Sequence, residues 1–246
     1  MNNTRTIISL LLSDKGFIKT ICFQKRKYIG DPINTLRLLN DQEAEEIIIF
    51  DIDKRYSKKN IDFEYLKKIT SECFSPMSYG GGINNLNDVS NILKCGFEKI
   101  VFCENVFINP RLIKSSINEA GSQSIVACIE YFSENQKLNI KNNFDEKFKK
   151  FTLNDICKYC EDLGVGEIIL HSIDKDGTFS GLDFNIYDKL SKEIKIPLIL
   201  SGGCNGLEDI RLAKKKNLIG FAASSTFIYT GNLNAVLINY HKKNNI

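Results

Sequence analysis

Histidine is almost missing from this chain. Its 246 residues hold only His171 and His241. Neither stands near a cysteine in the strand-to-helix context a thiol nucleophile needs, which excludes a cysteine–histidine hydrolase within the chain. A charge excess is missing too. Lys and Arg number 33 against 30 Asp and Glu, a net charge of +3. That is too small to argue for nucleic acid as a partner. The charged tract 145–150 and the run Lys214-Lys215-Lys216 are most simply solvated faces. The apolar run Ile7 to Leu12 is broken by Ser9. It is too short for a membrane span or a signal-peptide core, so it is predicted to be a buried strand of a cytoplasmic protein. Metal-ligand spacing is lacking as well. Of eight cysteines (22, 73, 95, 103, 128, 157, 160, 204), only Cys157-x-x-Cys160 forms a close pair, with no second pair and no histidine at ligand spacing. The cysteines are expected to be reduced core residues, with no metal and no cofactor. Cys103, at a strand end, is expected to be an apolar filler rather than a reactive thiol.

What the chain does have is an internal repeat with an offset of 121 residues. Gly81-Gly82 aligns with Gly202-Gly203, Asn84 with Asn205, Leu86 with Leu207 and Asp88 with Asp209; upstream, Asp51-Ile52-Asp53-Lys54 aligns with Ser172-Ile173-Asp174-Lys175. A unit of about half the chain is too long for a solenoid and right for a half-barrel. Short apolar runs alternate with helical patterns. Strands are predicted at Thr6–Leu11, Glu46–Asp51, Met77–Tyr79, Lys99–Cys103, Ile125–Glu130, Glu167–His171, Leu198–Ser201 and Gly220–Ala223. Helices are predicted at 31–43, 61–73, 86–95, 109–119, 152–163, 183–193, 206–216 and 232–241, several with start signals such as Asp31-Pro32 and Asn109-Pro110. Eight β-then-α units fit an α/β fold of the (β/α)8 TIM-barrel type, one domain over 1–246 built from homologous half-barrels 1–120 and 121–246. An open doubly wound sheet is the alternative. Two connections, Ser13–Gly30 and Tyr131–Phe151, exceed what a barrel needs, and polar alternation around Lys137–Ile140 predicts a hairpin in the second.

Barrel chemistry sits at the C-terminal ends of strands. Gly81, Gly82, Gly202 and Gly203 let backbone N–H groups approach a phosphate, and Ser201, Ser224 and Ser225 add hydroxyls. Simple tight turns are the plainer alternative. Asp51, Glu130, Asp174 and Asp176 are carboxylates at strand ends, and Glu130 can serve as general acid or base. Aligning Ile8–Leu11 on Ala127–Glu130 puts Leu11 opposite Glu130, so one half offers an apolar side chain where the other offers a carboxylate. At the opposite strand ends stand Arg5, Glu46, Lys99 and Glu167. They could form an inward-facing salt-bridge ring, but the residues alone favour four unrelated boundary charges.

These stretches resemble one family. Asp14…Lys19, Gly30-Asp31-Pro32, Phe50-Asp51-Ile52, Gly80-Gly81-Gly82-Ile83, Asn109-Pro110, Gly121-Ser122-Gln123, Gly166-Glu167-Ile168, the string Ser172 to Thr178 and Ser201-Gly202-Gly203 are similar, over essentially the full length, to the cyclase subunit of imidazole glycerol phosphate synthase (HisF). The resemblance implies a two-fold-repeated barrel paired with a separate HisH-like glutaminase subunit. Ammonia from that partner passes up the barrel axis and reacts at the mouth with a bis-phosphorylated ribulosyl-formimino aminoimidazole carboxamide. The products are imidazole glycerol phosphate and an aminoimidazole carboxamide ribotide. It implies an ammonia gate at Arg5, Glu46, Lys99 and Glu167, a first-loop lysine at Lys19, and substrate-phosphate contacts at or beside Asp176, Gly177, Ser201, Gly203, Ser224 and Ser225. The glutaminase would dock on the N-terminal face around Arg5, Glu46, Glu98, Lys99 and Glu167.

The departures from the family cluster at the chemistry. Leu11 stands where the family has the strand-one catalytic aspartate, and Glu130 where it has the strand-five aspartate. Cys103-Glu104 stand where it has Asn-Thr, and His171 where it has a small hydroxyl residue. A branch with Leu-Leu at the strand-one end is associated with surface-polysaccharide synthesis, where an N-acetyl-sugar amidotransferase turns an acetamido sugar into an acetamidino sugar. The chain is most similar to that branch. The resemblance therefore implies a lyase-type subunit of a glutamine amidotransferase complex that receives ammonia and serves another acceptor, with the amidotransferase as a further partner. A true cyclase of histidine biosynthesis, with Glu130 carrying the acid–base load, is the alternative; a non-catalytic scaffold that activates the glutaminase is a third.

Overall fold

The computed structural model describes residues 4–56, 60–134, 137–141, 148, 150–231 and 234–240. In chain order, β1 (Arg5–Ser13), β2 (Gly16–Ile21) and β3 (Gln24–Gly30) precede α1 (Pro32–Asp41). Next come β4 (Glu46–Asp51), α2 (Ile52–Tyr56), α3 (Phe63–Thr70), β5 (Met77–Gly80), α4 (Leu86–Lys94), β6 (Lys99–Phe102), α5 (Asn105–Ile108) and α6 (Pro110–Ala120). The remaining elements are β7 (Ile125–Glu134), β8 (Lys137–Ile140), α7 (Leu153–Leu163), β9 (Glu167–Ser172), α8 (Phe184–Leu190), β10 (Leu198–Ser201), α9 (Gly206–Lys215), β11 (Gly220–Ala223), α10 (Ser225–Ile228), β12 (Tyr229–Thr230) and β13 (Ala235–Val236).

Strands β1, β4, β5, β6, β7, β9, β10 and β11 pair in parallel in that order, and β11 returns to β1 with Arg5 beside Gly220 and Ile7 beside Ala222. The sheet is therefore the closed (β/α)8 barrel predicted from the alternation of strands and helices. Most strand residues are buried because helices cover the outside and side chains fill the inside. One large core lies between sheet and helices; a smaller one, with Ile7, Ile48, Val101, Val126, Ile169, Ile199 and Ala222, fills the bore.

Helix starts follow local chemistry. Asp31 accepts the Asn34 N–H with Pro32 in the first turn, and Asn109 accepts the Leu112 N–H ahead of Pro110. Thr152 and Asp155 form a capping box on α7, which ends at the left-handed Gly164. The repeat has a physical basis as well. Asn84 N–H donates to Asp88 at 2.8 Å, and Asn205 N–H donates to Asp209 at 2.7 Å, the same loop-to-helix tie in both halves. A Cβ on Gly81 would lie 2.3 Å from the Asp51 carbonyl oxygen, and one on Gly202 would lie 2.4 Å from that of Ser172. Both glycines also have positive φ. The repeated glycine is thus required for close backbone approach, whatever it does for a ligand.

Three features lie outside the eight β-then-α units. The long first connection is an antiparallel hairpin, β2–β3, folded back on β1. The second is the predicted hairpin, β7–β8, with Tyr131 beside Ile140. The helix predicted at 232–241 is not formed in its described part. Leu237 N–H donates to the Ile228 carbonyl, Asn239 N–H to that of Phe227, and Tyr240 N–H to the Gln42 side chain at 2.6 Å. Those bonds, with Tyr240 buried against Phe227, hold the segment extended along α10 and α1.

Gly202→Ala combines a backbone clash with a strained φ and should cost roughly 1–3 kcal/mol. Urea unfolding should show a lower midpoint at unchanged slope.

Candidate functional site at the barrel mouth

In a closed barrel every second residue of a strand faces the axis. The register stacks those residues in layers. Arg5, Glu46, Lys99 and Glu167 form the lowest layer, at the N-terminal ends of β1, β4, β6 and β9. They do assemble. Arg5 Nη1 lies 2.9 Å from Glu46 Oε2, and Arg5 Nη2 bonds Glu167. Lys99 Nζ lies 2.9 Å from Glu46 and 3.6 Å from Glu167. Two cations alternate with two buried carboxylates, so the layer is neutral. Burial alone would lower the Arg5 pKa; Glu167 and Glu46 reverse that and hold it above its ordinary value. The alternative of four unrelated boundary charges is corrected by this geometry.

Above the charged layer comes the apolar one, and above that the mouth. A cavity of about 460 Å³ opens there. Leu11, Lys19, Asp51, Gly81, Gly82, Glu130, Asp176, Gly177, Ser201, Gly202, Gly203, Ser224 and Ser225 line it, as predicted; Asp174, the fourth strand-end carboxylate, does not, and accepts the Ser133 N–H instead. Leu11 and Glu130 both face it, as the repeat implied. Glu130 is 7% exposed and pairs with Lys141 Nζ at 3.5 Å.

The β2–β3 hairpin covers one side of the mouth. Lys19 is buried and its Nζ lies 2.8 Å from Asp176 Oδ1, while the Thr20 hydroxyl donates to Oδ2 at 3.0 Å. Cys22 N–H donates to the Asp176 carbonyl at 2.9 Å. Burial pushes the Asp176 carboxyl up, but Lys19, His171 and the two hydrogen bonds outweigh it and hold the group below the usual aspartate range. Gly177 makes the approach possible, since a Cβ there would lie 2.5 Å from the Thr20 carbonyl oxygen. Asp51 behaves in the opposite way. Burial raises its carboxyl above the usual range, against the Lys54 N–H at 3.0 Å and the Tyr79 hydroxyl at 3.3 Å.

His171, on β9, stands in register between Glu130 of β7 and Ser201 of β10. Its Nδ1 lies 2.9 Å from the Ser201 hydroxyl, and the Phe23 ring stacks on it with centroids 5.4 Å apart. Lys141 Nζ sits 4.7 Å from the other ring centre, that of Phe23. Sequence reasoning missed Phe23, Arg26, Lys54 and Phe179, all of which line the cavity. Phe23 and Arg26 lie in the hairpin, where no periodicity says which side chain folds inward.

Cys157 and Cys160 are fully buried on α7, and burial pushes the Cys157 thiol up to about 12. Among the described residues no group of three or more His, Cys, Asp or Glu is placed to hold a metal ion. No helix among them is long and apolar enough to cross a membrane.

A family model described as "Histidine biosynthesis protein" matches residues 7–234. A Vibrio vulnificus protein named "Putative imidazole glycerol phosphate synthase subunit hisF3" is 38% identical over 98% of this chain and 94% of its own length. A Pseudomonas aeruginosa protein named "Putative imidazole glycerol phosphate synthase subunit hisF2" is 34% identical over 100% and 99%. A Hydrogenobaculum protein named "Imidazole glycerol phosphate synthase subunit HisF" is 34% identical over 98% and 97%.

Lys19→Ala would strand the Asp176 carboxylate in a buried place, at a cost of about 3–5 kcal/mol. Urea unfolding measures the loss, and limited proteolysis should cut the released hairpin. The Asp176 carboxyl is lower in the folded than in the unfolded chain. Its contribution is therefore fully present above the ordinary aspartate value of ~3.9, and is lost as pH falls through the folded value. The stability gap between the wild type and Asp176→Asn should narrow over that acid range.

Proposed function

The chain belongs to the histidine biosynthesis protein family, as a HisF-type subunit of the imidazole glycerol phosphate synthase kind. We propose that it receives ammonia from a glutaminase partner at the barrel bottom and supplies it to an acceptor other than the family's bis-phosphorylated substrate. An acetamido sugar destined for a surface polysaccharide is the acceptor this reading favours.

The observation that carries the reading is a contrast between the two ends of one bore. At the bottom, the ring of Arg5, Glu46, Lys99 and Glu167 is complete and paired. The layer above it, with Ile7, Ile48, Val101, Val126, Ile169, Ile199 and Ala222, is apolar. Neutral ammonia crosses such a layer far more readily than ammonium, whose charge would have to leave water. At the mouth the machinery is reduced: Glu130 is one carboxylate, and Leu11 faces the same cavity where a second would stand. Losing one positioned acid or base lowers a rate by about 10²–10⁴. Decay of an unused protein would act on the ring as much as on the mouth. A retained conduit with altered chemistry at its outlet fits a changed acceptor better. Glu98, exposed beside Lys99, belongs to the N-terminal face on which the glutaminase would dock.

The second reading is a cyclase of histidine biosynthesis, with Glu130 as its acid–base group. The names of relatives such as the Hydrogenobaculum protein favour it. Cyclisation of the bis-phosphorylated ribulosyl substrate with saturating ammonium salt at alkaline pH separates the two, because ammonium bypasses the partner. We expect no turnover from the folded chain. A rate within about tenfold of an ordinary ~10 s⁻¹ would replace the changed-acceptor reading with the cyclase one.

Conduit and scaffold are separated by Lys99→Ala in the assembled complex. A conduit should lose glutamine-driven product by tenfold or more while glutamine hydrolysis persists; a scaffold should keep the two coupled.

A further inference from the structure

Two cysteines meet inside the barrel where the bore opens into the mouth. The register of β6 on β7 pairs Val101 with Val126 and Phe102 with Ala127. One residue further on, the same register brings Cys103 beside Cys128. Val101 and Val126 both face the bore, and a strand repeats its facing every second residue, so the two cysteines point inward together. The packing agrees. Cys128 belongs to the apolar layer of the bore, Cys103 is packed against that layer, and both line the mouth cavity. Neighbouring strands run about 4.8 Å apart, within the roughly 4.4–6.8 Å between Cα atoms that a disulfide spans.

The two thiols differ in access. Cys128 is 4% exposed, whereas Cys103 is half-buried on the cavity wall. A small oxidant entering the mouth meets Cys103 first and finds Cys128 behind it, the arrangement of an attacked thiol beside a resolving one. The other cysteines lack it. Cys157 and Cys160 are neighbours on α7, but both are fully buried and outside the cavity. Cys73 and Cys95 are buried in the core between sheet and helices. Cys204 lines the cavity after β10, three strands round the barrel from β6, and burial pushes its thiol up to about 12. Cys22 lies in the β2–β3 hairpin, its Sγ donating to the Asp174 carbonyl at 3.3 Å. On its own Cys103 is an apolar filler at a strand end; beside a second thiol it is half of a pair.

We propose that Cys103 and Cys128 form a reversible dithiol–disulfide couple at the top of the bore, with a peroxide as the oxidant. The Cys103 thiolate attacks one peroxide oxygen, the O–O bond breaks, water leaves, and Cys103 becomes a sulfenic acid. The Cys128 thiolate attacks that sulfur, the S–S bond forms, the S–O bond breaks, and the departing hydroxide takes up a proton as a second water. In sum, two thiols and one hydrogen peroxide give a disulfide and two waters. Two molecules of a small thiol reverse the step by exchange and leave as their own disulfide. The bond lies one residue before Glu104 and two before Glu130, so oxidation ties together the segments that carry these two carboxylates on the cavity wall. The couple is independent of which acceptor the mouth serves.

The test is peptide mapping of the full chain without reduction, after stoichiometric hydrogen peroxide and alkylation of the remaining thiols. Peptides joined through Cys103 and Cys128, two hydrogens lighter than the separate halves, should form in the wild type and disappear with dithiothreitol. Cys128→Ala, which keeps a small apolar residue in the bore, should lose the cross-link and leave Cys103 as a sulfenic acid that dimedone captures. Cys103→Ala should lose the cross-link and leave Cys128 unoxidised at the same dose. The wild-type map needs no substitution, so it decides the matter even where a variant fails to fold. A Cys103 bond to Cys22 or Cys204, oxidation confined to other cysteines, or an unreacted pair would overturn the proposal. So would Cys103 passing to the sulfinic acid with no cross-link.

Discussion

Closure of the parallel sheet is the constraint on which everything else rests. Once β11 pairs with β1, alternate residues of eight strands have nowhere to point but the axis, and the register sets their height. Charges at strand starts become a ring, mid-strand Ile and Val become a dry bore, and strand-end residues become the wall of one cavity. None of these groupings requires contact in sequence: Arg5 and Glu167 are 162 residues apart. The two glutamates of the ring are buried, which is tolerable only because each has a cation within reach. The ring therefore holds itself together by mutual neutralisation rather than by exposure to water.

The half-chain repeat divides into a part that packing demands and a part that it does not. Gly81 and Gly202 meet the carbonyls of Asp51 and Ser172 at distances no Cβ could share. Asn84 with Asp88 and Asn205 with Asp209 tie the following helices to these loops in the same way. Substitution at those positions damages the barrel itself. Leu11 against Glu130, and Cys103-Glu104 against Ser224-Ser225, are different. They sit on the cavity wall, and there the halves have diverged. Symmetry kept where backbone packs and lost where a ligand would lie is what a scaffold with altered mouth chemistry should show.

The hairpin β2–β3 adds what the strands alone do not supply. It brings Lys19 across the mouth to Asp176, sets Phe23 on His171, and leaves Lys141 over Phe23 and beside Glu130. Glu130 thus shares its surroundings with a lysine from the β7–β8 hairpin and a histidine from β9. The acid–base setting of the mouth is made by three separate segments.

Strand positions, several helix starts, the barrel and most of the residues that gather at its mouth were determined by the sequence alone. Each is written in local patterns: apolar runs, Asp31-Pro32, Asn109-Pro110, and glycines at a constant spacing. The charges at residues 5, 46, 99 and 167 were visible, but their meeting was not, because local pattern carries no information about closure. The segment around Ala235 looked helical and is extended, since bonds to Phe227, Ile228 and Gln42 outweigh its own propensity. Only the tertiary structure decided that Phe23 stacks on His171, that Lys19 is buried rather than free in a loop, and that Glu104 lines the same cavity as Ser224 and Ser225. Those facts depend on distances between segments far apart in the chain, which the folded barrel alone sets.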